Sequence, residues 1–317
     1  MKVIGEDEIR GLVGQKEALE AVEKAFRALA RGQVTQPPPL GMELVEQRGE
    51  VHVKGAYLQG EEVFAMKVAS GFYRNPERGL PTGSGMVLVF DSDTGFPLGL
   101  LRDNGYLTEL RTGGAGALAT RLLAPDRPLR VAVIGAGSQA RYQIQAMARV
   151  RTLRELRVWS PIPDEVDRYC REMEAVLDVP AEGAPSPRDA VAGVDLVVTV
   201  TPSREPILQA GWLERGATVV AVGSDGPEKQ ELAAEILGEA GKVVVDSRDQ
   251  CLRLGETHHA VEAGLMAPEA IHAELGDVLI GKRPGREGDE LIVCDLTGVG
   301  AQDAALAGAV WRLLGGS

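Results

Sequence analysis

Residues 129–140 read Leu-Arg-Val-Ala-Val-Ile-Gly-Ala-Gly-Ser-Gln-Ala. An apolar strand, Leu129 to Ile134, runs directly into Gly135-Ala136-Gly137-Ser138-Gln139-Ala140, and a helical pattern follows through Tyr142, Ile144, Met147 and Val150. This order of strand, glycine turn and helix cradles the pyrophosphate of a dinucleotide. Gly135 permits the tight turn, Gly137 lets the backbone approach the phosphates, and Ala140 is small enough for helix and strand to pack. The helix N-terminus offers unpaired N–H groups to the anion. A nicotinamide or flavin cofactor, and hence redox chemistry, is the implication.

The surrounding chain supports the motif. Further apolar, largely β-branched runs occur at Leu156–Trp159, Asp195–Thr201, Thr218–Gly223 and Lys242–Asp246, separated by helical patterns or polar turns. Such runs fit strands buried on both faces of a parallel sheet. Upstream, Glu17 to Ala30 reads as an amphipathic helix and Pro37-Pro38-Pro39 starts extended structure. Val51–Tyr57, Val63–Ser70 and Met86–Asp91 read as strands, with turns at Gly60-Glu61 and Asp93-Thr94-Gly95. Leu107 to Leu123 is a helix rich in small residues, which calls for close approach by another backbone or a ligand. A strand at Leu291–Asp295 and a helix over Asp303–Leu314 follow. The expected fold is α/β in two domains. Residues 1–123, completed by 297–317, form a substrate domain with a mainly antiparallel sheet; residues 124–296 form a Rossmann domain.

At 317 residues the chain can bury two cores, and its 44% hydrophobic and 25% charged content is that of an ordinary globular protein. Its formal net charge of −12 argues against nucleic-acid or anionic-membrane partners. No apolar run spans a bilayer and the N-terminus turns acidic at once, so a cytoplasmic location is expected. Cys170, Cys251 and Cys294 are scattered and read as reduced thiols. The histidines make no metal site, and the adjacent His258 and His259 read as a solvated helix end.

Three residues stand out for chemistry. Lys67 lies mid-strand, costly unless paired or facing a pocket, although an edge strand could turn it to solvent. Arg111 carries the planar fork suited to a carboxylate. Asp225 follows a strand at the edge where α/β sheets bind ligands, and would equally suit the start of a helix near Glu228. At the end of the second Rossmann strand stands Ser160, where an acidic residue would select NAD by binding the ribose 2′-hydroxyl; this favours NADP(H) over NAD(H). Ser138, Gln139 and Ala140, with Thr201, Val222 and Gly223 at two further strand ends, complete the candidate cofactor-binding set.

The chain as a whole resembles the ornithine cyclodeaminase/μ-crystallin family. The resemblance rests on Met66-Lys67-Val68, Leu80-Pro81-Thr82, Asp93-Thr94-Gly95, Leu107 to Thr112, Gly135-Ala136-Gly137, Val222 to Asp225 with Lys229 and Glu231, and Asp295 to Gly298 with Gln302-Asp303. It implies a homodimer with a Rossmann domain for NAD(H) or NADP(H) and hydride exchange at the α-carbon of an amino acid or its imine. It also implies that Lys67 and Arg111 hold the substrate carboxylate, with Lys67 a further proton donor, and that Asp225 handles the proton at nitrogen; Thr112 orients the nicotinamide or a phosphate unless its hydroxyl only packs the helix, and Arg111 would otherwise be an ordinary helix-surface arginine. Two departures matter. Pro39 stands where many members carry a carboxylate-binding arginine. His52, with Lys54 on the same strand face, stands where ornithine-cyclising members carry an acid. A basic pair suits a second carboxylate, as in a dicarboxylic imine, unless both residues simply face solvent. The expected activity is therefore imine reduction or amino-acid dehydrogenation; the alternatives are an ornithine or lysine cyclodeaminase and a non-catalytic binding protein.

Overall fold

The computed structural model describes residues 1–315 as two compact units. The first comprises Met1–Arg111 and the C-terminal segment from Val299, the second Thr112–Gly298. The division falls inside the helix Tyr106–Leu123 rather than after it. The reason is local. From Gly113 onward this helix lies against the helix Ser138–Met147, and a Cβ at Gly113 would sit 2.8 Å from the carbonyl oxygen of Tyr142. The small residues therefore serve close backbone approach.

The first unit is built on seven strands: β1 (Lys2–Gly5), β2 (Val34–Thr35), β3 (Leu40–Leu44), β4 (Gly49–Leu58), β5 (Val63–Phe72), β6 (Gly83–Asp91) and β7 (Pro97–Arg102). The order is β1-β7-β6-β5-β4-β2, with β3 also paired to β4. Pairing is antiparallel except between β1 and β7. Strict alternation gives the sheet two faces. One face, with Ala56, Ala65, Val87, Val89 and Leu101 buried, lies under the helix Gly300–Leu313, which also packs on the helix Gln15–Ala30. That C-terminal helix is almost wholly buried and apolar. It approaches β4 so closely that a Cβ at Gly300 would lie 2.5 Å from the Gly55 carbonyl oxygen.

The second unit is an eight-stranded, all-parallel sheet: β8 (Leu129–Ile134), β9 (Leu153–Trp159), β10 (Ala181–Gly183), β11 (Leu196–Thr199), β12 (Thr218–Ala221), β13 (Lys242–Val245), β14 (Ala273–Glu274) and β15 (Ile292–Asp295). The order is β10-β9-β8-β11-β12-β15-β13-β14. The chain leaves β8 toward one edge and returns to β11 on the other side, which creates the switch point where such sheets bind ligands. Strands β8, β11, β12 and β15 are buried almost throughout, as their unbroken apolar runs foretell. The three cysteines are buried and unpaired by disulfide. Among the described residues, no helix is long and apolar enough to cross a membrane.

Candidate active site

In the second unit, the turn after β8 has the geometry a pyrophosphate requires. Gly135 has φ +109°, and a Cβ there would press on Val200 and Thr201. Gly137 opens onto free space, and the helix Ser138–Met147 begins without a side-chain cap. Its first N–H groups thus remain available to an anion. Ser138 is exposed, Gln139 half-buried and Ala140 fully buried, with the Ala140 carbonyl accepting from the Tyr169 hydroxyl at 3.2 Å. Gln143 donates to Thr112 O at 2.9 Å and to Gln139 Oε1 at 3.0 Å, so the Thr112 backbone is tied to this helix. Ser160 follows β9 directly, half-buried, and its hydroxyl accepts from the Ile162 N–H at 3.3 Å. These residues fit a dinucleotide.

Thr201, Val222 and Gly223 lie just past β11 and β12, on the same C-terminal edge of the sheet as Gly135. Asp225 stands two residues beyond Gly223, and its Oδ1 accepts from Lys229 Nζ at 2.7 Å. No helix begins at Glu228: the next helix starts at Ala234, so Asp225 is not the cap of a helix there. Its carboxylate is about one-third exposed and held by a lysine. The His258–His259 pair is likewise not a solvated helix end. His258 is buried and bonds Gly255 O at 3.1 Å, while His259 bonds Lys229 O at 2.9 Å.

In the first unit, Lys54 and Lys67 face each other directly across β4 and β5, 4% and 3% exposed. Neither is a solvent-face lysine. Lys67 Nζ lies 3.1 Å from Asp303 Oδ1, and Arg111 Nε lies 3.1 Å from the same oxygen. Arg111 also donates to Gln302 Oε1 at 3.3 Å. Burial, the Arg111 guanidinium and Lys54 push the Lys67 ammonium down to about 7, against the pull of Asp303. Burial alone would raise the Asp303 carboxyl, but Lys67 and Arg111 hold it below its usual range. Asp303 Oδ2 and Gln302 Nε2 are buried without a hydrogen-bond partner, as in a site that awaits a polar ligand. His52 differs from its neighbours: its Nε2 sits 3.7 Å from Glu50 Oε2, an acid on the same strand face.

Asp303 is the site residue that sequence reasoning missed. Its signal is visible in retrospect: it is the sole acid in the helix Gly300–Leu313, otherwise small or apolar save for Gln302 and Arg312. Asp103 is similar; its carboxylate accepts the Leu107 N–H at 2.8 Å and caps the helix that carries Arg111.

A parallel Rossmann sheet with an uncapped glycine turn, joined in one chain to a mostly antiparallel sheet holding buried cations, defines a dinucleotide-dependent oxidoreductase class. The chain belongs to the ornithine cyclodeaminase/mu-crystallin family, whose model matches residues 3–314. It is similar to the Δ1-pyrroline-2-carboxylate reductase of Thermococcus litoralis solved with NADH and L-proline. That match has 30% identity and TM-score 0.94, and covers 99% of this chain and 97% of that one. An archaeal alanine dehydrogenase solved as a dimer with bound NAD is 35% identical, with TM-score 0.92 and 99% and 95% covered. The iminosuccinate reductase of Paracoccus denitrificans, solved with NAD+, is 31% identical, with TM-score 0.90 and 99% and 96% covered.

Two outcomes test the cation cluster. Between about 7 and the usual 10.5, the unfolded chain holds a proton that folded Lys67 has lost, so this lysine makes stability rise with pH across that window. Urea unfolding of the wild type and of Lys67→Met at pH 7 and pH 9.5 should show that rise in the former and its loss in the latter. Asp303→Ala removes the carboxylate that Lys67 and Arg111 share in the interior and should cost about 3–5 kcal/mol in the same measurement.

Proposed function

We propose that this chain reduces the C=N bond of an α-imino acid, or in reverse dehydrogenates the amino acid, with NAD(P)H. The observation that carries this reading is the buried cluster of Lys54, Lys67 and Arg111 around one carboxylate, Asp303. Buried lysine and arginine side chains gathered in one place suit an anionic ligand. Lys67 and Arg111 take the substrate's α-carboxylate, and Asp303 fixes the direction of both. Bound NAD(P)H supplies the hydride to the α-carbon. Asp225 delivers the proton to nitrogen as the C=N π bond is reduced, and takes it back in the reverse direction. Lys229 holds that carboxylate in place.

The position of Lys54 opposite Lys67 extends the reading to a dicarboxylic substrate. Lys54 lies opposite Lys67 across β4 and β5, close enough for its charge to act on both Lys67 and Asp303, and His52 stands on the same strand face. Lys54 would receive the second carboxylate. The same lysine would repel the distal ammonium of ornithine or lysine, which disfavours cyclodeamination. Ser160 places no carboxylate against a ribose 2′-phosphate, so NADPH is accepted alongside NADH.

Purified protein would be assayed for NADPH and NADH oxidation with pyrroline-2-carboxylate, piperideine-2-carboxylate, pyruvate plus ammonia, and oxaloacetate plus ammonia. Turnover is expected, highest with oxaloacetate plus ammonia. Asp225→Asn should lower kcat by roughly 10²–10⁴-fold. Lys54→Met should lower kcat/KM for the dicarboxylic imine by about 10–100-fold, as loss of a charged hydrogen bond does, and leave monocarboxylic imines nearly unchanged. Equal losses on both classes would remove the second-carboxylate assignment. Ammonia release from ornithine, without turnover of any imine, would overturn the reading as a whole.

A second copy of the chain is the occupant we assign to the open face of the first unit's sheet. Phe64 and Phe90 stack there at 4.9 Å, and Met66, Val68, Leu88, Val53 and the exposed Leu40 and Met86 extend the face across β3 to β6. An uncovered apolar surface of this kind marks an interface, and the similar archaeal dehydrogenase is a dimer. Sedimentation should give a dimer for the wild type and a monomer for the Leu40→Asp/Met86→Asp variant.

A further inference from the structure

The second unit buries a carboxylate that the proposed reaction does not use. Glu231 is fully buried, and its two oxygens accept from backbone N–H groups on two different strand ends. Oε1 takes Thr201 N at 2.6 Å, beyond β11, and Oε2 takes Gly223 N at 2.9 Å, beyond β12. The backbone of Glu231 is anchored in turn. Its N–H and that of Leu232 donate to the two oxygens of the equally buried Glu256, at 2.8 and 3.1 Å. Its carbonyl accepts from Ile207 and Leu208 at 2.8 and 3.0 Å.

Between Gly223 and Glu231 runs the irregular loop that carries Asp225 and Lys229. The Glu231–Gly223 bond closes that loop on itself. Inside it, Lys229 O accepts from the Ser224 hydroxyl and from His259 Nε2. Gln230 N donates to Ser203 O at 2.8 Å, tying the loop's last turn to the chain beyond β11. Gly223 has to be glycine for the closure: a Cβ there would lie 2.5 Å from Glu231 Oε2 and would collide with Thr201 O. Two donors on separate strand ends need two acceptors on one rigid group, which a carboxylate provides. A glutamine would present an N–H to one of the two donors. Two buried carboxylates are a heavy desolvation cost for a loop that water could otherwise satisfy. The cost is intelligible if the loop must be held in one conformation.

We infer that Glu231 is a positioning residue: its carboxylate latches the 223–231 loop to the ends of β11 and β12 and so fixes the Asp225 carboxylate. This rests on the reading of Asp225 as the group that handles the proton. Glu256 is the base on which the latch stands.

The test pairs backbone hydrogen exchange with a double-mutant cycle. In Glu231→Gln, exchange should rise about tenfold or more in peptides covering 201–203 and 223–231, and stay unchanged in β8 and the helix Ser138–Met147. Its kcat should fall at least about 30-fold, yet adding Glu231→Gln to Asp225→Asn should cost less than about threefold more, because both act on one group. Unchanged exchange, exchange raised across the whole second unit, or losses that multiply in the double variant would overturn the latch. If Asp225→Asn alone keeps the wild-type kcat, the proton-handling reading falls and the exchange pattern still decides whether Glu231 orders the loop. Gly223→Ala, which obstructs the same bond from the other side, should reproduce the local exchange pattern; it serves as the second variant should Glu231→Gln fail to fold.

Discussion

The first unit depends on one constraint: two long cationic side chains and a carboxylate share a space closed to water. Lys67 comes from the middle of a strand, Arg111 from the second turn of a helix, and Asp303 from the start of the C-terminal helix. Removing ions from water is expensive unless each finds a partner. The Asp303 oxygen that meets both cations at 3.1 Å is therefore what permits the helix Gly300–Leu313 to lie on β4 and β5. The same carboxylate leaves its second oxygen without a partner, and the neighbouring Gln302 leaves its amide nitrogen likewise. The cluster thus pairs its charges and still leaves two buried polar atoms over.

The second unit solves the same problem with backbone donors in place of cations. Glu231, Glu256, Asp246 and Asp295 are all buried, and each accepts a backbone N–H: the first three from loop segments, Asp295 from Thr257 in the first turn of the helix Gly255–Glu262. Burial pushes Glu231 and Asp295 up to about 7, against the hydrogen bonds they accept. Loops at this edge must be irregular to reach a ligand, so their backbone groups cannot pair as strands do. Side-chain carboxylates supply the missing acceptors and set the shape of the edge.

The elements carrying strong periodicity were legible in sequence. The glycine turn after β8, the alternating strands of the first unit and the helix Tyr106–Leu123 lie where their patterns put them. Residues whose meaning depends on distant partners were not. Asp303 reads as an ordinary first-turn acid, since nothing nearby shows that Lys67 and Arg111 will meet it. Asp225 reads as a ligand-edge acid or equally as a helix cap, because Asp-Gly-Pro-Glu is a good helix start; the bonds of Glu231 and His259 hold that segment irregular, and no helix starts there. The His258–His259 pair looks polar and solvated until Gly255 and Lys229 supply carbonyl partners. Gly113 could have faced a ligand or a helix, and the Tyr142 backbone decides for the helix.

Local chemistry thus determined much of the architecture by itself. Glycine at φ +109° is needed for the turn, β-branched runs need burial on both faces, and alternation needs one covered face, because these are properties of residues and their immediate neighbours. The charge balance was decided only by tertiary structure. Whether a lysine is solvated or buried, and whether an acid is a cap, a latch or a counter-ion, depends on groups scores of residues away. Desolvation and pairing are set by the packed interior, and no local pattern encodes them.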